Sequence, residues 1–306
     1  MTKEEFKEKF NQVKRMEFWK DFVFDYKHID ERFIKEFTEL SKLSLKIKFN
    51  KKNFLYKYSP ADEYSIENLS KSNLFFKFAG KFSDEFDSSF EVDGTYDQDL
   101  NTIFENTLGI KLDKIVQRDC LVTCFTETNL NNEMWKEYAG SHSGFCQEFC
   151  IKEFQEKYIK ARFHRKIDNY TENICPVIYS EHVFQASEYF PIEYTGDISK
   201  IENFQKIIVP VIFFATLTKL EEFSFENEWR WFKLFTYDLL DKSTFEKVGN
   251  DIGMLRKVIP PKAVYLGKKM EKEKKKEIIE ICKSKKIKVY QMVEENGILK
   301  PIPIEI

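Results

Sequence analysis

Apolar positions near the start of the chain recur every three or four residues. Phe6, Phe10, Val13, Met16, Phe18 and Trp19 trace one amphipathic helix over residues 2–24, and Phe33, Ile34, Phe37, Leu40 and Leu43 trace a second over 30–44. The polar stretch 26–30 joins them, so an N-terminal helical hairpin is expected over 1–46, with apolar faces that need cover. From Leu45 the pattern changes. Short runs rich in β-branched and aromatic residues, bounded by Asn, Asp, Gly or Ser, occupy 43–49, 53–59, 73–79, 119–128, 144–151, 175–181, 207–216, 228–237, 263–267 and 287–293. These have the length and composition of strands. Helical spacing intervenes at 63–71, 96–108, 151–165, within 198–219 and at 270–284. Because the elements do not alternate regularly, the expected fold is α+β over 47–306, with a mixed, substantially antiparallel sheet and flanking helices.

Composition narrows the class. With 306 residues, 42% of them hydrophobic and 16% aromatic, the chain can bury a large core, which excludes disorder, collagen-like repeats and a disulfide-stapled miniprotein. Forty-nine Lys and Arg against 51 Asp and Glu leave a formal charge of -2, so no global field draws in nucleic acid or an anionic membrane. Neither a leader-like apolar core near Met1 nor a run of roughly 18 uncharged apolar residues is present, and a cytoplasmic protein without a membrane partner is expected. In that compartment the six cysteines are expected as thiols. The strongly basic stretch 268–288 also carries Glu271, Glu273, Glu277 and Glu280 at helical spacing, which favours a solvated, ion-paired helix over a phosphate-binding arm. The most loop-like interior stretch is 82–94, whose acidic residues suit a site or a solvated surface.

Phosphate loops, dinucleotide fingerprints, nucleophile elbows and zinc-protease motifs are absent from the sequence. Cys120 with Cys124, and Cys146 with Cys150, are four apart on predicted strands. That spacing separates them by about 13 Å, too far to share a tetrahedral ion, and no metal is expected. His28, His164 and His182 read as surface residues. His142 follows a short helix whose apolar face is Met134, Trp135 and Tyr138. Glu226 and Glu228 lie two apart at the head of an aromatic run, and on a strand they would share one face. Two carboxylates about 7 Å apart on a face call for water, a cation or a substrate, which suits either a cleft edge or a polar sheet face. Trp229 and Trp231 take the opposite, core-directed face.

Several of these segments together resemble a known family. Leu55-Tyr56-Lys57-Tyr58-Ser59; Leu74-Phe75-Phe76 with Phe82-Ser83-Asp84-Glu85-Phe86-Asp87; Cys124-Phe125-Thr126-Glu127; Met134-Trp135 through Tyr138-Ala139; His142 with Gly144-Phe145-Cys146 and Glu148-Phe149; and Thr218-Lys219 with Glu226, Glu228, Trp229 and Arg230 occur in the order of the bacterial family catalogued as domain of unknown function 2971 (DUF2971). The stretch 259–267 resembles its closing strand. Where that family usually has Asn-Asp-Pro-Phe, this chain has Ser83-Asp84-Glu85-Phe86, without the turn-setting proline. The segment 1–46 lies outside the resemblance.

At a second level, the order of a Tyr-Lys-Tyr strand, a helix, an aromatic strand and loop, and a late Glu-x-Glu strand is similar to ADP-ribosyltransferases. That resemblance implies an NAD cleft. Lys57 or Tyr58 would hold phosphate or ribose, Phe75, Phe76 or Phe82 would pack near nicotinamide, and Asp84 would belong to the cofactor loop. Glu228 would stabilise positive charge on the ribose, and Glu226 would orient a nucleic-acid or protein acceptor. Trp135, Tyr138, His142 and Arg230 are the remaining candidates for substrate contact or support of the site. The resulting expectation is an NAD-dependent ADP-ribosyltransferase-like toxin or phage-defence effector. One alternative is a noncatalytic sensing or interaction module, with a protein partner on the N-terminal helices. The other is a metal-dependent nuclease using Asp84, Asp87, Glu226 and Glu228.

Overall fold

Strand β4 (Cys120–Thr126) organises the molecule. Along one edge it pairs antiparallel with β10 (Glu228–Leu234), from Thr126↔Glu228 to Cys120↔Leu234. Its other edge is shared. β1 (Phe54–Ser59) takes one end at Tyr56↔Thr126, and β2 (Asn73–Phe78) takes the other at Lys77↔Val122 and Phe78↔Leu121. Between them, β4 has no strand partner on that edge at Thr123–Phe125 among the described residues. The sheet therefore forks. The structure is a computed structural model and describes residues 1–14, 39–40, 42–48, 53–84, 86–91, 105–106, 109, 114, 118, 120–159, 172–185, 212–234, 244–248 and 252–305.

One tine of the fork runs from β2 to β12 (Gly253–Lys257) and β11 (Glu246–Val248). The other runs from β1 through β5 (Phe145–Cys150), β13 (Ala263–Leu266) and β14 (Lys288–Glu295) to β15 (Ile298–Ile304). Every pairing in this sheet is antiparallel except β13 with β14, whose parallel crossover is the helix 272–284. β6 (Glu172–Pro176) covers the far edge of β10. The short strands β7 (Ile178–Ser180) and β9 (Thr218–Leu220) pair parallel, as do the two-residue strands β3 (Phe90–Glu91) and β8 (Phe184–Gln185). The mixed, mainly antiparallel α+β fold expected from the sequence is what the structure shows.

In chain order the helices are α1 (Lys3–Lys14), α2 (Glu63–Lys71), α3 (Asn132–Tyr138), α4 (Ile151–Phe154) and α5 (Lys272–Ser284). Two of them start on side-chain caps. Asp62 accepts from Ser65 N ahead of α2, and Asn131 accepts from Glu133 N and Met134 N ahead of α3. α1 buries Phe6, Phe10 and Val13 in the same core as Leu121, Trp229 and Phe232. Residues 39–40 and 42–43 are also helical, whereas the expected hairpin turn at 26–30 lies outside the described residues, as do His28, His164 and most of 96–108.

Two expected strands take other forms. Within 43–49, Ser44–Lys46 forms a 3-10 turn that buries Ser44 against Asn173. Within 207–216, residues 212–217 are helical, because Ile212 to Leu217 are buried on every side and no strand-like alternation is needed. All six cysteines are free. Among the described residues no helix is long and apolar enough to cross a membrane.

Candidate functional site

Where β1 and β2 part from β4, the fork leaves a cavity of about 200 Å³. β1 contributes Tyr56, Lys57 and Tyr58, the unpaired stretch of β4 forms the floor at Cys124 and Phe125, and the loop after β2 supplies Phe82, Asp84 and Asp87. Tyr138 comes from the end of α3, Lys219 from β9, Phe223 and Glu226 from the 3-10 turn Glu221–Glu226, and Glu228 from the first position of β10.

Charge organises the cavity's deep side. Arg230, fully buried, donates from Nε to Glu228 Oε1 at 2.8 Å and from Nη2 to Glu228 Oε2 at 3.1 Å. Its other bonds run to Asp87 Oδ2 (2.8 Å), Ser88 Oγ (3.0 Å) and the Thr216 carbonyl (2.7 Å), so all five guanidinium donors are used. Lys219 Nζ bonds Glu226 Oε2 at 2.6 Å and Glu228 Oε2 at 3.2 Å, and lies 3.8 Å from Asp87 Oδ2. Tyr138 donates its hydroxyl to Glu226 Oε1 at 2.5 Å. Three carboxylates thus converge on two cations. A third cation, Lys57, stands across the cavity, half-buried, with its Nζ donating to the Cys124 carbonyl at 3.3 Å.

These contacts separate the two glutamates. Burial pushes the Glu228 carboxyl up, but the Arg230 and Lys219 charges outweigh it and hold the group well below the usual carboxylate range. Burial and then the Glu228 charge push Glu226 upward, against the pull of Lys219 and Tyr138. Burial draws Lys57 down, with the Glu228 charge opposing it. Burial, then the Glu228 charge, keeps Cys124 protonated well above its ordinary value. The site therefore combines a fixed anion, a second carboxyl whose proton affinity is raised by burial and the Glu228 charge, and a cation without a carboxylate partner among the described residues.

Glu226 is not on the strand. It ends the 3-10 turn, and Asn227, at φ 45°, turns the chain through the left-handed region so that Glu226 and Glu228 reach the same Lys219. Their convergence on a cation is what the close pair required.

Of the other residues singled out in the sequence, Lys57, Tyr58, Phe82, Asp84 and Tyr138 line the cavity. Tyr58 acts as wall: its hydroxyl donates to the Thr128 carbonyl and its ring meets Trp135 edge-on. Asp84 Oδ1 accepts from Phe86 N at 2.9 Å, an Asx turn that shapes the loop without proline. Phe75 is elsewhere, packed edge-on against Tyr64 of α2, and Phe76 is core beside Trp231 and Phe245. On a strand these neighbours point to opposite faces, and neither face of β2 at that height reaches the fork. Trp135 and His142 stack on each other outside the cavity lining, and Arg230 lies beneath Glu228 as its support.

Lys219, Asp87, Tyr56, Cys124 and Phe223 also belong to the site. Tyr56, Asp87, Cys124 and Lys219 lie in the segments that resemble the family, whereas nothing in the sequence singles out Phe223. Asp87, Glu226 and Glu228 direct oxygens at Lys219 and Arg230. Among the described residues, no group of three or more His, Cys, Asp or Glu side chains is placed to hold a metal ion.

Residues 134–231 match the model of a family described as protein of unknown function (DUF2971), which bears out the resemblance over that span. The span contains Tyr138, Lys219, Glu226, Glu228 and Arg230; Lys57 and Phe82 precede it. No curated protein and no solved structure matches the chain.

Proposed function

We propose that the fork cavity is an active site for transfer of ADP-ribose from NAD, with Glu228 as the electrostatic carboxylate and Glu226 as the proton-exchanging one. The observation that carries this reading is the split between the two glutamates, one held ionised by Arg230 and Lys219, the other pushed up, in a single cleft faced by Lys57. NAD would supply a glycosidic bond to a good leaving group. Both Glu228 oxygens are engaged by cations, so its contribution would be a fixed negative charge where a sugar develops positive charge. Glu226, hydrogen-bonded to Tyr138, would take the proton of the attacking acceptor.

The residues present fit such a ligand in two respects. Lys57 offers a half-buried ammonium with donors to spare after its bond to the Cys124 carbonyl, suited to a phosphate or a ribose hydroxyl. Tyr56, Phe82 and Phe223 provide aromatic walls for a flat ring. A cavity of about 200 Å³ suits a ring and sugar, and the rest of a dinucleotide would extend from its mouth.

The test is nicotinamide release from NAD by wild type, Lys57→Met and Glu228→Gln, with mixed nucleic acid and cell lysate as acceptors. Lys57→Met removes a half-buried charge that forms no ion pair among the described residues, so the variant should still fold. It should nonetheless lose about 100-fold or more in turnover, as should Glu228→Gln. Absence of both NAD binding and turnover in the wild type would defeat the reading. Exposed Leu130, Tyr138 and Phe225, gathered by the Asn131 Nδ2 bond to the Phe225 carbonyl, support the second reading of an interaction module at the same mouth. That reading predicts partner binding insensitive to Lys57→Met.

A further inference from the structure

A second concave site lies at the opposite end of β2 from the fork. There Asn73 opens onto a groove of about 710 Å³, walled by Ser72, Lys257 and Lys285, with Lys71 and Glu246 also lining it. Three separate elements deliver these groups. Ser72 caps the C-terminus of α2 in the left-handed region at φ 57°, Lys257 is the last residue of β12, and Lys285 follows α5 and donates from Nζ to Ser72 Oγ at 2.7 Å. Lys71 is engaged by Glu67 at 2.5 Å. Among the described residues, neither Lys257 nor Lys285 forms an ion pair, and burial together with the Lys257 charge draws Lys285 below its ordinary value.

Of the neighbouring stretch 268–288, Lys285 lines the groove. The sequence pattern of 268–288 predicts lysines paired with glutamates along α5, yet among the described residues the only ion pair from that stretch is Lys268 with Glu294, at its start. Past Glu280 the stretch carries Lys283, Lys285, Lys286 and Lys288 and no acidic residue. A lysine at a helix C-terminus suits its own last carbonyls, but Lys257 belongs to a strand. Its charge raises the local positive potential at Lys285, which an anion in the groove would relieve.

We infer that this groove binds the phosphate groups of a polyanion, either a nucleic-acid backbone or a free polyphosphate, through Lys257, Lys285 and the hydroxyl of Ser72. The inference stands apart from the cleft chemistry, because none of these residues lines the fork cavity. The overall charge of -2 does not oppose it, since the attraction is local and acts within about 10 Å.

The experiment titrates full-length protein with inorganic tripolyphosphate by calorimetry and with a labelled single-stranded oligonucleotide by anisotropy, across a salt series. Wild type is compared with Lys257→Glu/Lys285→Glu and with the milder Lys257→Gln/Lys285→Gln pair. Wild-type binding should weaken about tenfold or more on charge reversal, with an unchanged melting temperature. For the oligonucleotide, the log–log salt slope should fall by about one per lysine removed. Loss of tripolyphosphate binding alone assigns the groove to a free polyphosphate, and loss of oligonucleotide binding with that change of slope assigns it to nucleic acid. Failure of wild type to bind either probe, or equal binding by wild type and both double variants, overturns the inference.

Discussion

Glu228 is tied into the fold as tightly as into the cavity. Its carboxylate is the shared partner of Arg230 and Lys219, and its backbone N–H donates to the Tyr179 hydroxyl at 2.8 Å. From the sequence alone, replacement by Gln looks nearly neutral for folding, since the amide is close to isosteric. The structure changes that expectation, because the variant leaves a buried guanidinium without its bidentate anion. Breaking such a pair from one side costs about 3–5 kcal/mol. The sign of the pH dependence follows. Because the folded carboxyl sits below its ordinary value of 4.5, its stabilisation is complete above that value and is lost as pH falls through the lower folded value. Unfolding free energies of wild type and Glu228→Gln, measured by urea titration, should differ most near neutrality and converge on acidification below the ordinary carboxylate range. A gap that stays constant with falling pH would mean that the glutamate charge does not carry the difference. Lys57→Met is therefore the cleaner probe of activity, and Glu228→Gln the cleaner probe of the network.

At the scale of elements, the turn after α3 holds one wall of the fork in place. Gly140, Ser141 and His142 all take positive φ, and the turn is closed by Gly144 N to the Ala139 carbonyl at 2.8 Å and His142 N to the Trp135 carbonyl at 3.0 Å. The carbonyls of His142 and Gly144 in turn accept from Lys269 N and Gly267 N, which ties α3 to the end of β13. Gly144 is required by proximity: a Cβ there would stand 2.2 Å from the Ser59 carbonyl, at the end of β1. Gly144→Ala should therefore push β1 and α3 apart and cost about 1–3 kcal/mol, seen as a lower urea midpoint with an unchanged m-value. An unshifted midpoint would show that β1 accommodates the methyl group. The presence of Gly144 is plain in the sequence, but its close neighbour is not, because Ser59 is distant along the chain. Local signals of the same kind did carry other elements. Helical spacing over 63–71 marks α2, and the aromatic runs mark β1, β2, β4, β5 and β10. The hairpin of β14 and β15 also has a local signal in Asn296-Gly297, both at positive φ. By contrast, the helical state of 212–217 and the division of β4 between two partners depend on what surrounds them, which no run of residues encodes by itself.

Across the whole molecule, the candidate site depends on the segment furthest from it in sequence. Glu226 and Glu228 are legible as candidates because two carboxylates on one strand face call for a cation, and Lys57 is a candidate only through the resemblance to ADP-ribosyltransferases; the role of Lys219 depends on β9 lying beside β7. α1 braces that same region. Lys3 Nζ pairs with Glu127 Oε1 at 2.8 Å, and that oxygen also accepts from Trp229 Nε1 at 2.8 Å on β10. Lys7 Nζ donates to the carbonyl of Tyr179, the residue whose hydroxyl receives Glu228 N. Phe10 meets Phe214 edge-on at 4.8 Å and Phe213 at 6.2 Å, next to the Thr216 carbonyl that Arg230 uses. A helix so placed is part of the domain's core, and its loss should be felt globally. Phe10→Ala should lower stability by about 3–5 kcal/mol within a single cooperative transition that tryptophan fluorescence and far-ultraviolet circular dichroism report together. On the proposed reading, nicotinamide release should fall with it, because the packing beneath Glu228 loosens. An early separate transition, with the main one and the activity unmoved, would instead make α1 an independent appendage and leave the cleft self-supporting.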